Sequence, residues 1–175
     1  MKQLFILLIT IGFTTTAVAQ NSRLIVPWPE TWKIGSEQKN HTMKMVELIP
    51  NNETIDKWTI IGTTLTYTTF KGLGNSSIES VMNTTFNEAK KNAINPTLTL
   101  IDKKEDGKNP WILFKIEAAG FKNDNTPESQ LYYVVVGDNT LYSNFVAIKA
   151  ATLSKEFLTH WTNIFKLSQF VNVSH

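Results

Sequence analysis

Two apolar runs in the C-terminal third of the sequence dominate its hydrophobic pattern. They span residues 131–136 and 145–148, and the turn-forming run Gly137-Asp138-Asn139-Thr140 lies between them. This arrangement predicts a β-hairpin. Successive side chains of a strand point to opposite faces, and here both sets are apolar. The hairpin is therefore expected in the middle of a sheet that is covered on both faces.

Further segments have the alternation or the β-branched and aromatic content of strands. They are residues 32–34, 43–49, 59–70, 97–101 and 111–118. The strand at 59–70 is expected to be half-buried and near an edge of the sheet, because one of its faces is apolar and the other is rich in threonine. The two faces consist of Ile61, Leu65 and Tyr67, and of Gly62, Thr64, Thr66 and Thr68. The polar run 35–42 is expected to form a turn.

Two segments have the 3.6-residue periodicity of amphipathic helices. The first spans residues 76–92 and opens with Ser76-x-x-Glu79, a capping box. The second spans residues 154–170 and opens with Ser154 as its N-cap. The positions expected to face inward are Ile78, Val81, Met82, Phe86 and Ala89 in the first helix, and Phe157, Trp161, Ile164, Phe165 and Ser168 in the second. A single helical turn at 53–58 is expected to bury Ile55 and Trp58.

The order of these elements predicts an α+β fold. Two amphipathic helices and a sheet that needs cover on both faces are most simply combined in a three-layer α/β/α sandwich with a mostly antiparallel sheet. The sequence contains no internal repeat or interdomain linker, so residues 20–175 are expected to form one domain.

Residues 1–19 have the three parts of a secretory signal peptide. Lys2 is the positive n-region, residues 4–13 are the apolar h-region, and Ala17-Val18-Ala19 is the cleavage site. The apolar run is too short for a bilayer core that needs about 20 residues. We therefore expect export to the periplasm or the medium, with Gln20 as the first mature residue and no stable membrane insertion after cleavage.

The composition excludes several classes of function. The formal net charge is +2, and Arg23 is the only arginine among 17 basic residues. Arginine is the residue that best recognises phosphates and bases in a bidentate way, so a nucleic-acid partner is not expected. The sequence has no cysteine. This excludes disulfides, thiolate metal sites, thiol nucleophiles and lipid anchoring at a cysteine.

Short patterns that resemble catalytic motifs are incomplete. Ser36 and Lys39 match S-x-x-K, and Tyr142-Ser143-Asn144 resembles an element of penicillin-interacting serine enzymes. The Lys-Thr-Gly strand of those enzymes is absent, and the S-x-x-K pattern lies in a predicted turn instead of a buried helix. Gly72-Leu73-Gly74 completes neither phosphate-binding glycine motif. These patterns are interpreted as structural, and no catalytic residue is assigned.

The ionisable side chains also give no complete site. His41, His160 and His175 have no metal-ligand spacing, so neither a metal nor a cofactor is expected. Glu53 and Asp56 are expected to be solvated, and so is Glu128 near Gln130, whereas an acid catalyst needs a desolvated carboxyl group.

Two further sets of side chains are ambiguous. Lys115 and Glu117 share one face of a strand and are expected to form a surface ion pair, whereas a buried pair would mark a pocket. Trp28 and Trp32 lie in a segment interrupted by proline. They are candidates for an exposed binding surface, or they fix this segment onto the sheet.

The stretch 47–59, Glu-Leu-Ile-Pro-Asn-Asn-Glu-Thr-Ile-Asp-Lys-Trp-Thr, resembles a segment of uncharacterised exported bacterial proteins. The region 131–165, a strand hairpin followed by a helix with an inward tryptophan, is also similar to them. With the order of elements, these stretches resemble the PsbP-like fold, including proteins of the DcrB type. The resemblance implies a fold and a bacterial envelope context, but it implies no catalytic activity.

These observations lead to a functional expectation. The chain is expected to be an exported, non-enzymatic binding or accessory domain with an unidentified protein or small-molecule partner at the cell envelope. The alternative is a small envelope hydrolase with a carboxylate or serine site. A third possibility is an antitoxin-like or effector-binding immunity protein.

Overall fold

The computed structural model describes residues 22–122 and 125–172. Eleven strands and two helices are present in this part of the chain. In chain order they are β1 (Ser22–Ile25), β2 (Trp32–Lys39), β3 (Met43–Pro50), β4 (Ile60–Tyr67), α1 (Glu79–Asn92), β5 (Ala93–Ile94), β6 (Thr97–Lys104), β7 (Trp111–Ala118), β8 (Gly120–Phe121), β9 (Glu128–Val136), β10 (Leu141–Ile148), α2 (Lys155–Lys166) and β11 (Gln169–Asn172).

Seven of the strands form one antiparallel sheet in the order β2-β3-β4-β10-β9-β7-β6. The fold is therefore mixed α+β with a mostly antiparallel sheet and two helices, as predicted. The remaining strands form two small pairs, β1 with β11 and β5 with β8.

The predicted apolar hairpin is confirmed as β9 and β10 at the centre of the sheet, where Val136 lies opposite Leu141 in the register. Residues 131–136 are all buried. The alternate residues of β9 belong to two separate hydrophobic clusters, one that contains Tyr133 and one that contains Tyr132. We call the two sides of the sheet face A, which carries Tyr133, and face B, which carries Tyr132.

Each helix packs against a different face of the sheet. Trp161 and Phe165 of α2 belong to the face A cluster, and Ile78 and Met82, at the start of α1 and within it, belong to the face B cluster. A third cluster on face B consists of Ile49, Ile61 and Ala147, with Ile55 and Trp58 packed against it. The inward turn predicted at 53–58 is present as a short 3₁₀ helix, Ile55–Lys57.

The polar run 35–42 is a strand for most of its length, so the predicted turn is wrong. β2 continues through a bulge between Ile34 and Ser36 and remains paired with β3 as far as Lys39. Asn40 alone supplies the turn, because its side-chain oxygen accepts hydrogen bonds from the Thr42 and Met43 amides at 2.9 and 2.8 Å. Pairing with β3 outweighs the weak strand propensity of the polar residues.

Helix α1 begins at Glu79, so the predicted capping box is also wrong. Ile78 is the N-cap and makes no side-chain capping bond. The Glu79 carboxylate instead forms an ion pair with Lys103 at 2.8 Å. The predicted inward stripe of the helix is nevertheless confirmed, since all five of its side chains pack in the face B cluster.

Helix α2 begins as predicted but ends earlier. The Ser154 hydroxyl accepts a hydrogen bond of 3.1 Å from the Phe157 amide, which makes it the N-cap. The helix ends at Lys166, because residues 169–172 pair with β1. β4 is half-buried, as predicted, and it is the third strand from the β2 edge of the sheet, with both of its own edges paired.

The proposed signal peptide, residues 1–19, lies outside the described residues. Among the helices that the structure describes, none combines the length and the apolar character that a membrane span requires.

Candidate functional site

The threonine-rich side of β4 lines an open cleft on face A. We call this the threonine cleft; its volume is about 450 Å³. Val46, Leu48, Thr64 and Thr66 form its floor, and the residues of β1 line it together with Ile34. Helix α2 packs over β9 on this face, and its Trp161 ring lies 5.3 Å from the ring of Trp32 of β2.

Trp28 closes one end of the threonine cleft. Its ring lies against Gly62, where an added Cβ atom would be only 2.4 Å from the ring. The Trp28 ring also stacks on Trp32 with 6.0 Å between centroids, and Trp161 of α2 lies 5.7 Å away. Both predicted binding tryptophans are therefore half-buried against α2, and they fix the segment after β1 onto the sheet. This is the structural alternative named for them above.

Hydroxyl groups and charges supply the polar part of the threonine cleft. The Thr64 and Thr66 hydroxyls make no hydrogen bond within the described part of the chain, and both line the cleft. Lys44 and Glu37 form an ion pair of 2.9 Å on the same floor. Arg23 is exposed on β1 at the wall. These groups can give directional contacts to a bound molecule.

Two exposed isoleucines supply apolar contacts in this cleft. Ile25 is 40% exposed and Ile34 is 60% exposed, and both are among the exposed large hydrophobic side chains of the described residues. The Tyr142 hydroxyl donates a hydrogen bond of 3.1 Å to the Ser22 carbonyl, which fastens β1 to the sheet at the edge of the cleft. An apolar groove with a few polar groups is the usual form of a ligand site.

A second cleft lies on face B, between α1 and the sheet. We call this the helix cleft; its volume is about 390 Å³. Glu128, Gln130 and Tyr132 occupy alternate positions of β9 and all line it. The Tyr132 hydroxyl donates to Gln130 Oε1, and Gln130 Nε2 donates to Glu128 Oε1 at 2.5 Å. The sequence predicts Glu128 and Gln130 in a solvated polar loop; in the structure both lie on β9 and are half-buried.

The electrostatics of the helix cleft favour neutral tyrosines. Burial, with a smaller contribution from the negative charge of Glu128, raises the pKa of Tyr132 far above its usual range. Burial also raises the pKa of Tyr67, whose ring lines the same cleft. Both phenols therefore act as neutral hydrogen-bonding groups near neutral pH.

The serine motifs form no catalytic group. Ser36 and Lys39 lie three residues apart on β2, so their side chains point to opposite faces. Ser143 faces the helix cleft, whereas its neighbours Tyr142 and Asn144 lie on face A. Asn144 is fully buried, and its amide nitrogen donates to the Tyr133 carbonyl at 3.5 Å. Its Oδ1 atom has no hydrogen-bond partner among the described residues.

The histidines and the Glu53–Asp56 pair are also dispersed. His41 and His160 are exposed, and His175 lies outside the described residues. Glu53 accepts hydrogen bonds from the Thr59 amide and hydroxyl at 2.7 and 2.5 Å, which lower its pKa. The carboxyl group is therefore ionised near neutral pH and is poorly suited to act as a general acid. Within 22–122 and 125–172, no three side chains of the metal-binding types are grouped to hold an ion.

The Lys115–Glu117 pair is less exposed than predicted. The two side chains are 17% and 12% exposed and lie 2.6 Å apart. Glu117 Oε1 also accepts a hydrogen bond of 2.7 Å from the Leu153 amide, just before α2. The pair lines neither cleft, so its role is to anchor the start of α2.

For each cleft, the sequence predicted the residues of one wall but not those of the other. The threonine-rich strand was visible in the alternation of β4, but the approach of β1 to the sheet was not, because it depends on pairing with β11. The Glu128-Gln130-Tyr132 series was assigned partly to a loop. Its spacing of two residues was the signal that would have placed all three side chains on one face.

Comparison with protein-family models and with curated proteins gives no match to this chain.

Proposed function

We propose that this chain is an exported, non-enzymatic binding or accessory domain, periplasmic or secreted, and that the threonine cleft is its binding site. The main support is the combination of two exposed isoleucines with unpartnered threonine hydroxyls in one open groove. The N-terminal sequence pattern supports export. The occupant is a protein segment or small molecule with an apolar body and hydrogen-bonding groups.

We also infer a three-layer α/β/α arrangement of the PsbP-like, DcrB-type kind. The support is the packing of α1 and α2 against opposite faces of the sheet, together with the resemblance of residues 47–59. An experimentally determined structure of a DcrB-type protein, superposed on this sheet order, would test the inference.

Export is tested by fractionating bacteria that express the full chain. We expect the protein in the periplasmic extract or the medium, with a mass that corresponds to a chain starting at Gln20. Recovery of only the uncleaved chain with the membranes would contradict the proposal.

Binding is tested by selecting phage-displayed peptides against the mature protein and measuring their affinity for variants. Ile34→Asp places a charge on the wall of the threonine cleft without disturbing the core. We expect it to weaken binding by at least about tenfold, because a buried apolar contact is replaced by a charge that must be desolvated.

Leu167→Asp is the matched control, because Leu167 is 65% exposed just after α2 and lines neither cleft. It should leave the affinity unchanged. Selected peptides that bind Ile34→Asp as tightly as the wild type would place the binding surface elsewhere.

The hydrolase alternative has one supporting observation, which is that Ser143 and Glu128 line the same cleft. Of the described residues that line it, none is a histidine or a lysine. Turnover of p-nitrophenyl acetate by the wild type, lost in Ser143→Ala, would favour this alternative.

A further inference from the structure

The helix cleft is a separate cavity from the site proposed above, because it lies on face B, between α1 and the sheet. Its volume of about 390 Å³ is within the range of small-ligand pockets. Apolar side chains make up a large part of its lining, and they include Leu65, Ala89, Ile116, Ala118, Phe121 and Phe145. The cleft can therefore take up the apolar body of a small molecule.

Ser143 is a buried polar residue that lines the helix cleft. It is only 7% exposed, and its hydroxyl group makes no hydrogen bond within the described part of the chain. Its Oγ atom is nevertheless not sealed off completely, in contrast to Asn144 Oδ1 on the other face of the same strand. Buried hydroxyl groups are normally hydrogen-bonded, because a missing partner costs free energy. A molecule in the cleft would supply the partner that Ser143 lacks.

Tyr67 supplies a second hydroxyl group on the same face. Leu65 lies opposite Ser143 and Tyr67 lies opposite Leu141 in the register of β4 and β10, so Tyr67 and Ser143 are diagonal neighbours. Residues in this relation have Cα atoms about 7–8 Å apart. The Tyr67 hydroxyl also makes no hydrogen bond within the described chain, and burial raises its pKa, so it stays protonated and can donate.

The other side-chain donors of the lining have acceptors within the protein. The Tyr132 hydroxyl donates to Gln130, and the Gln130 amide donates to Glu128. The hydroxyls of Thr84 and Thr85 each donate at 2.9 Å to a carbonyl of the preceding turn of α1. Of the described lining, two hydroxyl groups are thus left to donate to a ligand.

The charges of the lining favour an uncharged ligand. Its described residues include two carboxylates, Glu88 and Glu128, but no lysine, arginine or histidine. A bound anion would have no counter-charge in the cleft, and burying an unpaired charge is costly. Glu88 is paired with Lys91 at 2.6 Å and Glu128 accepts from Gln130 at 2.5 Å, so the carboxylates have partners without a bound cation.

We propose that the helix cleft binds a small uncharged molecule with an apolar body and a carbonyl oxygen, which accepts hydrogen bonds from the Ser143 and Tyr67 hydroxyl groups. A carbonyl oxygen carries two lone pairs and no proton, so one atom can accept from both donors.

Titration of the mature protein with three ligands of similar size, followed by nuclear magnetic resonance, tests the choice of charge. Acetophenone is an uncharged ketone, benzoate is an anion, and benzylamine is a cation at neutral pH. We expect acetophenone to bind at least about fivefold more tightly than either ion, because desolvation of an unpaired charge is costly. The absence of saturable acetophenone binding, or equal affinity for one of the ions, would overturn the proposal.

Two variants test the hydrogen bonds. Ser143→Ala and Tyr67→Phe should each weaken acetophenone binding by at least about threefold, because each removes one donor. Ethylbenzene has the same apolar body without the oxygen, so its affinity should be unchanged in both variants. Unchanged acetophenone affinity in the Ser143→Ala protein, or an equal loss for ethylbenzene, would contradict the assignment.

Matched controls carry the same substitutions elsewhere. Ser76→Ala alters an exposed serine, and Tyr133→Phe alters a tyrosine on face A; neither residue lines a cleft. Both variants should bind acetophenone as tightly as the wild type, and a loss equal to that of Ser143→Ala would contradict the proposal. Circular dichroism checks that every variant is folded.

Thermal unfolding of the free protein separates ligand binding from a structural role of the serine. Ser143→Ala should be at least as stable as the wild type, because it removes a buried hydroxyl group that has no partner in the described fold. A lowered melting temperature would show that this hydroxyl stabilises the protein itself and would count against a ligand-binding role.

The amide signals locate the ligand without any variant. Acetophenone should shift the signals of Ser143 and Ala89, which line the helix cleft. Shifts confined to Leu24 and Val46 would place the ligand in the threonine cleft and overturn the proposal.

Discussion

The Leu153 amide donates a hydrogen bond of 2.7 Å to Glu117 Oε1, so a carboxylate of β7 holds the start of α2. The same carboxylate forms the ion pair with Lys115, and both side chains are largely buried. One group on the sheet therefore neutralises a buried cation and fixes the position of a helix. A buried ion pair of this kind is costly to break by removing one partner.

Glu117→Gln should lower the free energy of unfolding by about 2–4 kcal/mol, because it leaves the Lys115 ammonium without a counter-ion. Lys115→Met with Glu117→Gln should recover most of this loss, since the cation is removed and the glutamine oxygen still accepts from Leu153. Urea denaturation measures both. A single variant as stable as the wild type would show that the pair contributes nothing.

Ser154→Ala should lower the free energy of unfolding by about 1 kcal/mol, because the Phe157 amide loses its capping acceptor. Ser76→Ala is the control and should be close to neutral, since Ser76 lies before Glu79, where α1 begins, and caps nothing. Thermal melts of the two variants compare the helix starts directly. Equal losses of stability in the two variants would support a capping box formed by Ser76 and Glu79 and contradict the structure.

Gly62→Ala should displace Trp28, because the new Cβ atom would lie 2.4 Å from its ring and the strand backbone cannot move away. Overpacking of this kind costs about 1–3 kcal/mol. Tryptophan fluorescence should change. When Gly62→Ala is introduced into the Trp28→Ala protein instead of the wild type, the loss of stability should largely disappear. Additive losses in that double-mutant cycle would contradict the contact.

Asp102 should contribute to stability in a pH-dependent way. The hydrogen bond from Lys166, at 2.5 Å, lowers the pKa of this carboxyl group below its ordinary value. A lowered pKa means that the stabilisation is present above the unfolded pKa and is lost as the pH falls through the folded one. Because both side chains are partly exposed, Asp102→Asn should cost only a few tenths of a kcal/mol at neutral pH. The difference between variant and wild type should decrease as the pH falls below the unfolded-state pKa and vanish once the carboxyl group of the folded protein is protonated, as measured by urea denaturation across the acid range.

The sequence predicted the parts of the fold that depend on local pattern. The central hairpin, the Ser154 cap and the inward stripe of α1 were all visible as alternation, periodicity or capping residues. The sequence did not predict the elements whose conformation depends on tertiary contacts. Residues 36–39 are polar and form a strand because β3 pairs with them, and residues 169–170 continue the helical pattern of α2 but pair with β1.

The candidate site was predicted only in part for the same reason. Thr64 and Thr66 share a face by alternation, and that was evident from residue order. The walls that turn this face into a cleft come from β1 and β2, whose positions depend on contacts distant in sequence. The predicted surface character of Lys115 and Glu117 failed because no local pattern showed that the chain before α2 would cover them.

The pairing of β1 with β11 also determines when folding of the protein can be completed. Among the described strands, β1 is the first to leave the ribosome, and its only strand partner among them, β11, is the last. Until that partner arrives, Leu24 and Val26 have an incomplete covering, and the wall of the threonine cleft is not held in place. Synthesis from the N-terminus therefore makes the threonine cleft among the last features of the described fold to form.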